Sequence, residues 1–488
     1  MKIVLLNPPF KTELGKFSRA SRSPAITKSG TMYNPLWLAY ACAYLEKNNH
    51  EVMLLDSCAD QINLDDTLVK IREFQPQLIV LDTSTPSIKE DVRCAEEIKK
   101  VIPDAHICLV GTHPSVLTDE VLDMSVAVNS IARHEFDATL ADLASALSEN
   151  RDLSTVDGIS YKKDGQHIHN QDRAYIENLD EIPFVSEVYK KHLNINNYFF
   201  SAATLPMVMI MTGRGCPSRC FFCVYPQTFH GHKYRLRSAD NVVAEFEWIV
   251  NNLPEVKSIG IEDDTFTANP DRAKEICRKL IEKGINKKVK WWANTRVHTD
   301  LELMKLMKKA GCRLIIPGFE SGSQEILKNI HKGTTIEQAE KYMKNAKKAG
   351  LLVHGCFMVG NKGETRETME QTLKFAMKLN PDSAQFFPLI PYPGTEAYSW
   401  AKENGYIKTY DWEKWLKEDG NHECVLNLPD LTSDDLVDFC TYARRKFYLR
   451  PRYLIYKAIQ SLTNFDEMKR NLKAFKRLLG YMWKGAKE

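Results

Sequence analysis

Three cysteines stand within eight positions of the stretch "MTGRGCPSRCFFCVYPQ" (residues 211–227): Cys216, Cys220 and Cys223. Such a CxxxCxxC cluster offers three thiolates to a metal. A structural zinc site closes with four ligands. The nearest histidines, His230 and His232, fall outside the usual paired spacing, so zinc is disfavoured. An iron–sulfur cluster normally takes four cysteines, and three leave one iron open to hold a substrate. By contrast Cys42, Cys58, Cys94, Cys108, Cys277, Cys312, Cys356 and Cys440 stand among apolar neighbours, where a thiol reads as a small buried hydrophobe.

A reactive loop of this kind needs a rigid frame. From about residue 205 the sequence alternates apolar strand patterns (208–211, 258–262, 290–294, 313–318, 351–359 and 383–389) with helical ones such as 241–251 and 270–283. Six strand–helix units over 205–400 predict a partial (β/α)6 barrel, with chemistry at the carboxyl ends of its strands. The cysteines directly follow the first of these strands. Residues 1–150 alternate strands (3–7, 51–56, 78–82, 106–110, 128–132) and amphipathic helices, which predicts an α/β domain with a doubly wound parallel sheet. Its ligand would lie beyond the strand ends, at Asn7-Pro8-Pro9, at Thr83, Ser84 and Thr85, at Gly111, Thr112 and His113, and at Arg133-His134-Glu135. No GxGxxG follows the first strand, so a dinucleotide is not expected; the polar run is either a cradle for a large cofactor or ordinary loop chemistry. Residues 151–204 read as a linker with a small hairpin, and 401–488 as a helical, basic C-terminal region.

With these elements in place, the chain resembles the radical S-adenosylmethionine (SAM) superfamily. The resemblance implies a [4Fe–4S] cluster on the three cysteines, SAM chelating the fourth iron, and hydrogen abstraction by a 5′-deoxyadenosyl radical. It carries further residues over. Phe222 would pack on the adenine, and Glu262, Asp263 and Asp264 of "IEDDTFTAN" would face the SAM amino group. Asn294 and Arg296 of "WWANTRVHTD" would meet its carboxylate, Glu320 and Ser321 of "GFESGSQEIL" its ribose or methionine. The backbone near Val359 and Gly360 in "HGCFMVGNKGET" would meet the adenine, and Tyr392 and Thr395 of "PLIPYPGTEAY" the substrate. Each has a plainer alternative: Asp263-Asp264 or Glu320-Ser321 could cap helices, and Tyr392-Pro393-Gly394 makes a good turn.

A doubly wound domain before such a barrel resembles the cobalamin (B12)-binding branch, and implies cobalamin among Thr83, Ser84, Thr85, Gly111, Thr112, His113 and Glu135. No DxHxxG follows the first strand, so no histidine there ligates cobalt. Segments such as "TSTPSIKEDVRCAEEIKK", "LVGTHPSVLTDEVL" and "IARHEFDATL" are similar to hopanoid-associated radical SAM proteins that make the cyclitol ether of bacteriohopanetetrol, and to archaeal relatives that make calditol lipids. That similarity implies ring contraction of a lipid-linked sugar, with electrons from a flavodoxin- or ferredoxin-type reductant. The alternative is a cobalamin-dependent radical SAM C-methyltransferase, which shares fold and cluster. His113, His134, His230, His232 and His354 are candidates for acid–base or radical-quenching work, or are structural.

Composition excludes several other classes. The 43% hydrophobic and 26% charged content is that of a globular chain, and 488 residues exceed one ordinary core. No apolar run reaches the roughly 18 residues of a spanning helix, and no secretory h-region follows Met1, so a cytoplasmic protein is expected. From Arg444 to Glu488, 13 Lys or Arg face only Asp466, Glu467 and Glu488, a net +10 that leaves the remainder at −7. That tail is either a peripheral contact with the inner, anionic membrane face or a helix packed on the barrel with its cations in water. Nucleic acid is not expected, because the domains themselves are net acidic.

Overall fold

The computed structural model describes residues 1–20 and 22–463; the part of the basic tail from residue 464 onward lies outside them. Five parallel strands form the core of the first sheet: Lys2–Asn7, Glu51–Asp56, Leu78–Asp82, His106–Val110 and Ser130–Ala132. Their spatial order is 2-1-3-4-5, a doubly wound arrangement that reverses direction between the first and third strands. Leu78, Ile79, Val80 and Leu81 are all buried, as strands covered by helices on both faces must be.

The hairpin of Ile159–Lys163 and Gln166–His169 is not part of a free linker, as expected from sequence, but extends this sheet antiparallel from Ser130–Ala132. Turn chemistry at Asp164-Gly165 identifies a hairpin without saying which edge it joins. The connection to the barrel is helix Val185–His192, which packs against helix Leu36–Lys47 of the first domain.

Six parallel strands make the second sheet in sequential order: Met207–Ile210, Ser258–Ile261, Lys290–Thr295, Cys312–Glu320, Leu352–Val359 and Ser383–Pro388. The first and last are not paired to each other among the described residues, so the barrel is open. The C-terminal region departs from the helical expectation. After helix Glu396–Glu403, residues 404–432 are largely irregular, with one short turn at Trp412–Trp415, before helices Ser433–Tyr448 and Pro451–Thr463. Both tryptophans are buried in the first domain's core, so the segment's apolar content is used for bridging rather than for a helix of its own. Trp412 packs edge-on to His113 at 5.0 Å, and Lys89 binds Asp411 at 2.6 Å. No helix among the described residues is long and apolar enough to cross a membrane.

Candidate active site

The cysteine loop leaves the first barrel strand through Gly213-Arg214, which pairs antiparallel with Arg235-Leu236 and closes the loop at its base. Gly215 has φ +89°, and a Cβ there would lie 2.1 Å from the Lys233 carbonyl oxygen, so only glycine fits before Cys216. Backbone bonds then set the loop. His232 Nδ1 lies 3.1 Å from the carbonyls of both Cys216 and Ser218, and Gln227 Nε2 donates to the carbonyls of Cys220 at 3.1 Å and Cys223 at 2.9 Å. With His232 on backbone carbonyls and His230 on Asp264, neither histidine closes a zinc site.

All three cysteines line one cavity of about 1280 Å³ at the carboxyl ends of the barrel strands. Burial pushes the thiols of Cys220 and Cys223 up, so a bound metal must displace their protons.

The same cavity is lined by Phe222, Asp264, Asn294, Arg296, Glu320 and Tyr392. Glu320 takes φ +61°, a left-handed conformation costly for a side-chain-bearing residue and common where function holds it. Its carboxylate binds Lys332 at 2.7 Å, and Lys332 Nζ stands 5.6 Å from the Phe222 ring. Arg296 meets the Ser218 hydroxyl and the Lys332 carbonyl.

Neighbouring predicted residues point elsewhere. Asp263 is consumed by the loop's base, accepting from Thr212 N and Oγ1 at 2.6 Å each and from Tyr234 Oη at 3.0 Å. Glu262 lies outside this cavity, 3.6 Å from Arg22 in a smaller adjoining one. Ser321 is fully buried against Thr372, and Thr395 caps helix Glu396–Glu403. Val359 is buried in the core, and a Cβ on Gly360 would meet Leu436 at 2.9 Å. Strand alternation turns Val359 away from the wall that Cys356 and Met358 form, and Gly360 lies past the strand end in a turn with φ +82°. Cys356 is therefore a cavity residue and not the core filler its neighbours suggest.

A second cavity, of about 500 Å³, opens where the first sheet reverses direction. Thr83, Ser84, Thr85, Gly111 and Thr112 line it, with Trp37, Phe136, Tyr225 and Phe229. Gly111 has φ +126°, and a Cβ there would fall 2.5 Å from the Thr83 carbonyl oxygen. The apolar walls and polar floor suit one edge of a large macrocycle carrying polar side groups. His113 and Glu135 do not line it. His113 is buried between Thr85 and Trp412, with its ring pushed down to about 3 by burial, so it is a neutral packing residue. Glu135 accepts from Arg235 and lies 3.5 Å from Arg214, two buried barrel arginines that draw it into the domain seam. His134 Nδ1 is 2.9 Å from the Thr228 carbonyl, also in the seam, and His354 binds Ser383 on the barrel's last strand pair.

The two cavities share Arg22, Val224 and Tyr392 in their walls. Arg22 comes from the first domain's loop and binds Asp264 at 2.7 Å; His230 Nε2 reaches the same carboxylate at 3.1 Å. Burial alone would raise the Asp264 carboxyl, but His230 and Arg22 overcome it and hold it well below the ordinary range. Arg22, Lys332, Tyr225 and Trp37 were not foreseen. The pair of arginines in "FSRASRS", residues 17–23 between the first strand and helix Leu36–Lys47, was the available signal for Arg22.

Comparison with known proteins agrees with this geometry. Residues 210–376 match the radical SAM superfamily, and residues 22–144 match the B12 binding domain. An uncharacterized methyltransferase of Pyrococcus horikoshii is 33% identical over 456 residues, 93% of this chain and 94% of the relative. An anaerobic magnesium-protoporphyrin IX monomethyl ester cyclase of Cereibacter sphaeroides is 28% identical, over 85% of this chain and 67% of its own length. Among solved structures, the radical SAM methyltransferase TsrM from Kitasatospora setae, with cobalamin and a [4Fe–4S] cluster bound, has the same fold. Its TM-score is 0.69 at 18% identity, over 92% of this chain and 89% of TsrM.

Proposed function

Because the chain belongs to the radical SAM superfamily and carries its B12-binding domain, we propose that it is a cobalamin-dependent C-methyltransferase acting on a small molecule. Its cofactors are a [4Fe–4S] cluster, SAM and cobalamin. The observation that carries the reading is the shared wall: the cysteine cavity and the B12-domain cavity meet at Arg22, Val224 and Tyr392. Two cofactors held so close can act on one substrate carbon. Methyl transfer is preferred to ring contraction of a lipid-linked sugar because TsrM and the Pyrococcus relative are both methyltransferases by name.

When bound, the cluster and SAM supply a carbon-centred radical, and cobalamin carries the methyl group. The chain's own residues bind and orient. Cys216, Cys220 and Cys223 would hold the cluster; Arg296 and Lys332 would meet the SAM carboxylate; Asn294 and Glu320 would accept from its amino and hydroxyl groups. Thr83, Ser84, Thr85 and Thr112 would hydrogen-bond the corrin side groups, while Trp37, Phe136 and Phe229 exclude water from its face. Phe387, Leu389 and Ile390 would do the same for the substrate. A flavodoxin- or ferredoxin-type donor would supply electrons.

The test is an anaerobic assay of cluster-loaded protein with methyl-labelled SAM, reductant, cobalamin and a small-molecule extract of the producing organism. Equal S-adenosylhomocysteine and 5′-deoxyadenosine, with label in an extract component, are expected. 5′-Deoxyadenosine alone, rising with extract, would reject methyl transfer.

A further inference from the structure

Away from both cavities, the two helices that join the first domain to the barrel connection bring a thiol, a carboxylate and an imidazole together. Cys42 and Glu46 lie one turn apart on helix Leu36–Lys47, hence on one face. His192 ends helix Val185–His192, which packs against it. His192 Nε2 stands 2.9 Å from Glu46 Oε1, and one ligand atom from each residue falls within 4.8 Å of the other two. No other His, Cys, Asp or Glu group among the described residues is so compact. The side chains are 9% exposed at His192 and 24% at Glu46, and Cys42 is fully buried. Cys58, Cys108, Cys312 and Cys424 each donate to a backbone carbonyl, whereas Cys42 donates no hydrogen bond among the described residues.

We propose that Cys42, Glu46 and His192 bind a divalent, zinc-type cation, with water as the fourth ligand. Sulfur, nitrogen and oxygen bonds of roughly 2.0–2.3 Å in a tetrahedron place donor atoms about 3–4 Å apart, a contraction well within the reach of these side chains. His192 Nε2 now donates to Glu46, so ligation through Nε2 moves the neutral ring's proton to Nδ1. Binding breaks the Cys42 S–H bond as the metal–sulfur bond forms and releases one proton to water, with no change of oxidation state. Lys191 now shares the Glu46 carboxylate and must leave it; at 62% exposed, its ammonium moves into solvent at little cost. The cation would fasten the connecting helix to the first domain, so its effect falls on stability and not on turnover.

The experiment titrates cluster-loaded, full-length protein with Co2+, reading difference spectra against the Cys42→Ser variant treated identically, with Zn2+ as competitor. One equivalent with thiolate-to-cobalt and tetrahedral ligand-field bands, displaced by Zn2+ and accompanied by one released proton, is expected. The bands vanish in Cys42→Ser, and affinity falls at least tenfold in Glu46→Gln and His192→Gln, with SAM cleavage unchanged. No binding in the wild type, or equal binding in wild type and variants, overturns the assignment. Should Cys42→Ser fail to fold, His192→Gln, altered at a helix end, decides alone by the same titration.

Discussion

At the residue scale, roles divide between side chains that face the cavities and neighbours that hold them. Cys216, Cys220 and Cys223 converge on one cavity, so replacing any one with Ala should remove the visible absorption of the reconstituted cluster and reduce SAM cleavage to background. Full activity in one of the three would refute the cluster assignment. Asp82, on the B12-domain cavity, is pushed from an ordinary 3.8 up to about 7, chiefly by burial and further by Asp91 and Asp56, against Arg19. A carboxyl that holds its proton more tightly folded than unfolded adds stability below pH 3.8 and loses it as pH rises through about 7. Asp82→Asn should therefore melt higher than wild type at alkaline pH, with the two converging in acid. Parallel melting curves across that range would show that the carboxyl stays ionised.

Elements matter here mainly through their ends. Each strand delivers its functional residues at the carboxyl terminus, and the following turn decides which reach the cavity. Gly111, after His106–Val110, is such a turn, its missing Cβ replaced by the Thr83 carbonyl. Gly111→Ala should strain the backbone by about 1–3 kcal/mol and push the Thr83 strand end out of the cradle. Equilibrium dialysis should then find hydroxocobalamin held at least tenfold more weakly, with cluster absorption intact. Undiminished cobalamin binding would mean the cradle lies elsewhere.

Across the whole molecule, the two domains are joined by buried charge. Arg214 of the barrel binds Asp137 of the first domain at 2.7 Å, with both side chains no more than 2% exposed, and its guanidinium lies over the Trp37 and Tyr40 rings. Removing one partner of a buried pair costs about 3–5 kcal/mol, because the other charge is left uncompensated. Arg214→Met should lower the denaturation midpoint by that amount and raise hydrogen exchange in helix Asp137–Ser148. The double variant Arg214→Met/Asp137→Leu should recover part of the loss. Equal midpoints for wild type and the single variant would make the seam incidental. Tight joining fits the proposed function, in which two cofactors bound on different domains would have to keep a fixed distance.

Apolar periodicity determined the parallel strands of both sheets and the helices between them, because burying one face is a local requirement written every second or every third to fourth residue. The cysteine spacing likewise singled out the loop as a candidate metal site, since three thiols on one loop need no distant partner. Tertiary structure decided the rest. Whether Asp263 or Asp264, Ser321 or Glu320, Val359 or Met358 meets the cavity depends on pleat and register, and adjacent residues point oppositely. That the hairpin at 159–169 extends the first sheet, and that Trp412 leaves the C-terminal region to pack on His113, are choices among surfaces that exist only once folded. Arg22 is the extreme case: its partner Asp264 lies 242 residues away, and only closure of one domain on the other brings that pair into the wall between the two cavities.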